Sequence, residues 1–215
     1  MTGIDTAGDP PCMGHLIVAG HAIDPQTWAD VKVFRKAQRA RLYGLRAALT
    51  TAQRAEAIET ISAQLTACLG DISGKTIGGY WPIKGEVNLR RWMEECVARG
   101  ATVGLPVVTE KQHPVSFYRW TPSHKMTRGF WDIPVPAVPE VLTPDIVIVP
   151  LVGGDTRGFR LGNGGGYYDR TLALLPNARR IGVGHSFAAI ETIFPMPWDI
   201  AMHGIVLGDG TQLEF

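Results

Sequence analysis

Hydrophobic and polar positions change rhythm several times along the chain, and each change predicts an element. From Pro25 to about Leu49 the spacing is helical, with Val33, Ala37, Ala40 and Leu45 on the apolar side and Arg35, Arg39, Arg41 and Arg46 as a basic series. Thr50 is expected to cap a second helix over residues 51–69, because Gln53 occupies the capping-box position. Asp71-Ile72-Ser73-Gly74 then ends it. Beyond this break, strand and helix patterns alternate. Thr76–Trp81 reads as a strand, Leu89–Arg99 as a helix capped by Asn88 and stopped at Gly100, and Thr102–Pro106 and Val115–Trp120 as strands. A proline-rich connector from Ile133 to Pro144 leads to Ile146–Leu151, whose unbroken aliphatic run suits a strand buried on both faces. After a glycine-dense loop come a helix, Tyr167–Leu175, a strand, Arg180–Gly184, and a last strand near Gly204–Leu207.

Strands alternating with helices imply an α/β fold: a three-layer α/β/α sandwich, Rossmann-like, around a mostly parallel (mixed) central sheet. At 215 residues the chain suits one domain, placed over residues 25–215, with residues 1–24, rich in Gly, Ala, Pro and Asp, as a loosely ordered extension. With 21 basic and 20 acidic residues there is no bulk field to attract nucleic acid or an anionic membrane, so any anion site must be local. Cys12, Cys68 and Cys96 are too scattered for a disulfide framework or a zinc motif, and no stretch reaches the roughly 20 apolar residues of a membrane span. The apolar run within residues 11–23 lacks a preceding basic segment, so no signal peptide is expected. The expectation is a cytoplasmic monomer.

The chemistry concentrates between Val149 and Arg170, VPLVGGDTRGFRLGNGGGYYDR. Two nucleotide signatures are excluded first. Gly70 to Thr76 imitates a P-loop but is one residue short, and it follows a helix and precedes a strand, the reverse of what a P-loop needs. Gly162-x-Gly164 would place the third glycine of a dinucleotide fingerprint at Tyr167, where an aromatic ring blocks close approach. What remains is Gly162, Gly164, Gly165 and Gly166 after a buried strand, with Arg157 and Arg160 upstream and Asp169-Arg170 in the first helical turn. Such a loop lets backbone amides converge on phosphate oxygens. Asp169 would hold a cation or cap the helix.

These residues also carry a family resemblance. Arg160-Leu161-Gly162-Asn163-Gly164-Gly165-Gly166-Tyr167-Tyr168-Asp169-Arg170, preceded by Val149-Pro150-Leu151 and Asp155, resembles the signature of the 5-formyltetrahydrofolate cyclo-ligases, or methenyltetrahydrofolate synthetases. Further segments arrive in family order: Arg35-x-x-x-Arg39, Tyr80 to Val87, Leu105 to Val108, Gly129 to Pro134 and Pro197 to Ile200.

The resemblance implies an enzyme that uses ATP and Mg²⁺ to convert 5-formyltetrahydrofolate into 5,10-methenyltetrahydrofolate, releasing ADP and phosphate. Its partners would be small molecules, reduced folate and ATP. By residue-for-residue match, Arg35, Arg39, Arg160, Gly162, Asn163, Gly164, Gly165, Gly166, Tyr167 and Tyr168 would meet the nucleotide. Trp81, Glu86, Asn163, Gly164, Gly165, Gly166 and Tyr167 would meet the folate, Arg160 and Tyr168 would be catalytic, and Asp169 and Asp199 would hold the metal. Arg160 is expected at an exposed position. Gly153-Gly154 before Asp155, Val135 before Pro136 and His203 after Asp199 depart from the common pattern. A folate- or nucleotide-binding regulator without turnover is the alternative reading.

Overall fold

The structure, a computed structural model, describes residues 16–215. Most of the extension expected over residues 1–24 lies outside them, but Leu16–Val18 and His21–Ile23 pair as an antiparallel hairpin.

Four α-helices follow in chain order: Pro25–Ala48 (α1), Thr51–Leu69 (α2), Arg90–Ala98 (α3) and Tyr167–Ala173 (α4). Local chemistry sets their ends. Asp24 Oδ2 accepts from the Thr27 amide at 2.6 Å and Pro25 occupies the first helical position. At α2 the expected capping box is complete: Thr50 Oγ1 accepts from the Gln53 amide and Gln53 Oε1 from the Thr50 amide. The imitation P-loop is a helix stop, with Gly70 at φ +62 and Asp71 Oδ1 accepting from the Ser73 amide. Asn88, expected to cap α3, sits one residue before the observed cap, Leu89, and accepts from the Arg90 amide.

The main sheet has eight strands: Thr76–Gly78 (β1), Thr102–Val107 (β2), Ser116–Trp120 (β3), Val141–Leu142 (β4), Ile146–Pro150 (β5), Arg179–Gly184 (β6), Gly204–Leu207 (β7) and Gln212–Glu214 (β8). Their spatial order is β8-β7-β6-β5-β1-β2-β3-β4. The five central strands, β7 to β2, pair in parallel; at one edge β8 pairs antiparallel with β7, and at the other β3 pairs antiparallel with β2 and β4 antiparallel with β3. Alternate residues of β5 serve opposite faces, as a strand buried on both sides requires. Ile146 and Ile148 pack with Ile61 and Leu65 of α2 and Trp92 and Met93 of α3. Val147 and Val149 pack with Leu172 of α4, Met202 and Ile205. The result is the expected three-layer sandwich. Among the described residues no helix is long and apolar enough to cross a membrane.

Two features differ from the sequence expectations. The face of α1 is inverted: Val31, Arg35, Leu42 and Arg46 are buried, while Val33 is 70% exposed and Ala37, Ala40 and Leu45 face solvent. The inward stripe thus carries arginines, whose guanidinium groups find acceptors inside. Beyond β5 the chain forms a second, three-stranded sheet from Gly153–Asp155, Arg160–Leu161 and Ala189–Ile190. Leu42 of α1 packs on it with Val152, Leu161 and Ile193. This small sheet and α1 frame the carboxyl ends of β5 and β6, where open α/β sheets place their ligands.

Candidate active site

Residues 162–166 form a loop between the short strand Arg160–Leu161 and the start of α4. Gly164 and Gly166 have φ of +98° and +66°, and Gly166 is the N-cap of α4. L side chains rarely adopt that region. At Gly162 the constraint is space, since a Cβ there would lie 2.1 Å from an Nη of Arg160.

Arg160 is buried, at 7% exposure, which corrects the expectation of an exposed position. One nitrogen donates to Asp169 Oδ2 at 2.7 Å, and the guanidinium lies 5.3 Å from the centre of the Tyr168 ring. An ion pair and a ring face hold its charge indoors. Arg160 Nε and the Tyr168 hydroxyl are both buried without a hydrogen-bond partner among the described residues. Each such atom costs about 1–3 kcal/mol unless a ligand satisfies it. Burial pushes the Tyr168 phenol well above its ordinary pKa, so it remains a neutral donor.

The loop is clasped from two sides. Arg39 of α1 donates through Nε to the Gly162 carbonyl at 2.7 Å, and its guanidinium carbon lies 3.5 Å from where a Gly164 Cβ would stand. Burial, then the neighbouring Arg35 cation, lower the Arg39 pKa. On the other side Asn163 Nδ2 donates to Glu86 Oε1 at 3.1 Å, and Asn163 Oδ1 accepts from the Tyr43 hydroxyl. Glu86 Oε2 accepts from the Ile83 amide at 3.0 Å. Burial raises the Glu86 pKa, against the lowering effect of these hydrogen bonds.

The remaining site residues are more dispersed. Tyr167 accepts from the Gln112 amide at 3.2 Å, meets Trp131 edge-on at 5.4 Å and has the Arg170 guanidinium 5.2 Å over its ring. Trp131 and Asp132 both adopt positive φ, +54° and +61°, a conformation that costs a non-glycine residue roughly 1–2 kcal/mol. Trp81 is half-buried against the α2 and α3 side of the core, with the Arg90 guanidinium 4.9 Å over its ring. Arg35 is turned inward: it donates to the Ile193 and Phe194 carbonyls, each at 2.9 Å, and pairs with Asp199.

The two expected metal carboxylates therefore differ. Both Asp199 oxygens receive Arg35, and Oδ2 also accepts from the Met196 amide at 2.7 Å. Asp169 holds Arg160 on one oxygen, while the other has only a 3.4 Å contact from the Ile200 amide. Among the described residues no three His, Cys, Asp or Glu side chains cluster as a metal site. Magnesium needs only one or two carboxylates when phosphate oxygens complete its shell. Asp169 fits that role, whereas the Asp199 carboxylate is already filled. His203 is occupied as well, both ring nitrogens engaging Arg180 at 3.0 and 2.8 Å.

Several residues that build the site had no role assigned to them from the sequence, although Asp155 stands in the quoted signature and Arg46 in the basic series. Asp155, fully buried, accepts from the amides of Arg157, Phe159 and Ile193 and so folds the approach to the loop. Tyr43 anchors Asn163, and Arg46 binds the Leu151 carbonyl at 3.0 Å. The available signal for the α1 residues was their spacing: positions 35, 39, 42 and 46 form one helical stripe.

Comparison with known proteins places the chain as a whole. A model of the 5-formyltetrahydrofolate cyclo-ligase family matches residues 31–208. The 5-formyltetrahydrofolate cyclo-ligase of Haemophilus influenzae is 29% identical over 182 residues, covering 81% of this chain and 97% of that protein. The Escherichia coli enzyme of the same name is 29% identical over 173 residues, 75% of this chain and 93% of that one. Among solved structures, Aquifex aeolicus 5,10-methenyltetrahydrofolate synthetase superimposes with a TM-score of 0.73 at 29% identity, over 84% of this chain and 92% of that chain.

Proposed function

This chain belongs to the 5-formyltetrahydrofolate cyclo-ligase family, and on that premise we propose that it uses ATP to close 5-formyltetrahydrofolate to 5,10-methenyltetrahydrofolate. The observation that carries the reading is the glycine loop clasped by a cation on one side and a carboxylate on the other, Arg39 on Gly162 and Glu86 on Asn163. A loop so held presents amides to phosphate while its neighbour recognises a polar heterocycle.

The chemistry follows from what the substrate lacks. A formamide oxygen is a poor leaving group. Attack of that oxygen on the γ-phosphorus expels ADP and leaves the formyl oxygen phosphorylated; N10 then closes on the carbon and loses its proton, and phosphate departs as the C–O bond breaks. Such transfer depends on positioning and charge neutralisation more than on covalent catalysis. In our reading the amides of 163–166 and Arg39 hold the β- and γ-phosphates. Arg160, fixed by Asp169, faces the transferring group, and its partnerless Nε and the neutral Tyr168 hydroxyl donate to oxygens whose charge grows in the transition state. Glu86 accepts from the pterin N–H groups, while Trp81, packed on the α2 and α3 side with Arg90 over its ring, could meet the folate only through its other face. Asp169, together with phosphate oxygens, would hold magnesium, which would supply charge neutralisation to the phosphates. Arg35 serves at one remove: it fixes the segment from Ile193 to Asp199 and keeps Asp199 from the metal.

The test is spectroscopic. Protein mixed with 5-formyltetrahydrofolate, ATP and Mg²⁺ should develop the methenyl chromophore with stoichiometric ADP, and omission of ATP should abolish it. A protein that binds the folate but yields no ATP-dependent chromophore refutes the reading.

A further inference from the structure

Arg170 reaches back past the start of its own helix. Its Nη2 donates to the carbonyl of Gly165 at 2.6 Å, and its guanidinium lies 5.2 Å over the Tyr167 ring. A Cβ on Gly166 would stand 2.9 Å from Nη1, so the head group packs against the loop in room that only glycine leaves. Arg170 pairs with no carboxylate among the described residues, its neighbour Asp169 being taken by Arg160. Its Nε is buried and meets no acceptor among them. Helix energetics do not explain this placement, because a cation at the amino-terminal end of a helix opposes the macrodipole. One carbonyl and one ring face hold the charge there.

What the contact fixes is a peptide plane. In a trans peptide the C=O and the following N–H point in opposite directions, so a donor on the Gly165 carbonyl turns the Gly166 amide the other way. Arg39 does the same for the peptide that enters the loop: its Nε holds the Gly162 carbonyl and turns out the Asn163 amide. Two arginines, one from α1 and one from α4, thus grip the loop by its carbonyl oxygens at both ends. Between them, none of the amides of residues 163–166 donates to a backbone carbonyl among the described residues. Amides left free and turned outward in this way suit an anion. Glycine loses more conformational freedom on ordering than any other residue, so the run Gly164-Gly165-Gly166 keeps that shape only where something outside it supplies a hold. We propose that Arg170 is a positioning residue of the phosphate-binding loop, fixing the Gly165–Gly166 peptide and ordering the glycine run before the nucleotide arrives. The inference rests on the reading of residues 163–166 as a phosphate cradle and extends it to what keeps the cradle in shape.

The test uses the full chain labelled with ¹⁵N, as wild type, Arg170→Met and Arg170→Lys. Methionine keeps an apolar stem and a sulfur over the Tyr167 ring but has no donor; lysine restores one N–H for the Gly165 carbonyl. Arg170 is only half-buried, so both proteins should fold. Without nucleotide, the amides of Gly164 to Gly166 should show order parameters of about 0.85 in wild type, below about 0.6 in Arg170→Met and between the two in Arg170→Lys. The KM for ATP should rise about ten-fold in the methionine variant, the effect of one hydrogen bond to a charged group, and by less in the lysine variant. The KM for 5-formyltetrahydrofolate and the amide spectrum outside residues 162–170 should stay as in wild type. An Arg170→Met loop as ordered as wild type in the free protein overturns the proposal even if the KM for ATP rises, because a direct phosphate ligand acts only once ATP is bound. A loop already mobile in wild type overturns it, and so does a loosened loop with an unchanged KM for ATP. Wild type that binds no ATP overturns the phosphate reading of the loop itself, so the two failures are distinguishable.

Discussion

Replacing Arg35 by alanine separates two roles that the sequence alone merges. A basic residue four positions before Arg39 reads as a phosphate ligand, yet the folded chain spends the guanidinium on Asp199 and on the Ile193 and Phe194 carbonyls. The pair is nearly dry, with side chains 10% and 7% exposed. Truncation would strand the Asp199 carboxylate with the Met196 amide as its remaining hydrogen-bond donor. Breaking a buried pair from one side costs about 3–5 kcal/mol. For a chain of this size each kcal/mol moves the melting midpoint by about 2–4 °C, so Arg35→Ala should melt roughly 6–20 °C below wild type. Calorimetry with and without saturating ATP provides the assay. Arg35→Ala/Asp199→Asn should recover part of the loss, because the amide leaves no stranded charge and can still accept from Met196. An Arg35→Ala protein that melts within about 2 °C of wild type but needs much more ATP would refute the reasoning and return Arg35 to the nucleotide.

Three further outcomes are expected. Gly162→Ala should cut kcat by one to two orders of magnitude with little change in far-UV circular dichroism, because a Cβ 2.1 Å from Arg160 Nη must displace the guanidinium; unchanged turnover would mean that Arg160 is not held against the reacting phosphate. Asp169→Asn should move the Mg²⁺ titration of activity to higher concentration by about ten-fold or more, and an unmoved titration would make Asp169 only the clamp on Arg160. Glu86 must be ionised to accept from the pterin, and burial raises its pKa above the ordinary 4.5. Folate affinity should therefore fall as pH drops, beginning above that value. Glu86→Gln should bind weakly with that limb gone, and a wild-type affinity flat down to pH 4.5 would exclude the role.

The parts of the fold that were legible in the sequence were those with a period or a cap. The run Ile146 to Leu151, the capping box at Thr50 and the Tyr167 helix start all rest on local chemistry. The small sheet had no such signal: Gly153–Asp155 and Arg160–Leu161 are too short for a pattern, and their partner Ala189–Ile190 lies some thirty residues on. The inverted face of α1 failed for a different reason. Hydrophobicity assigned Val33 and Leu45 inward, but burial of an arginine depends on acceptors supplied by Leu151, Ile193 and Asp199, which no window around residue 35 contains. In the site, the glycine loop was visible as composition, whereas Tyr43 meets Asn163 only in three dimensions.

The Arg35 to Asp199 pair spans 164 positions of chain. On a ribosome adding about 5–20 residues per second, some 8–33 s separate the emergence of the two. Of the four positions that α1 will bury, two, Arg35 and Arg46, carry positive charge. The stripe therefore alternates apolar and cationic positions, and burying it in full requires the acceptors at Leu151, Ile193 and Asp199. The Arg35 end of the first helix thus finds its partners last, when the residues from Ile193 to Asp199 arrive.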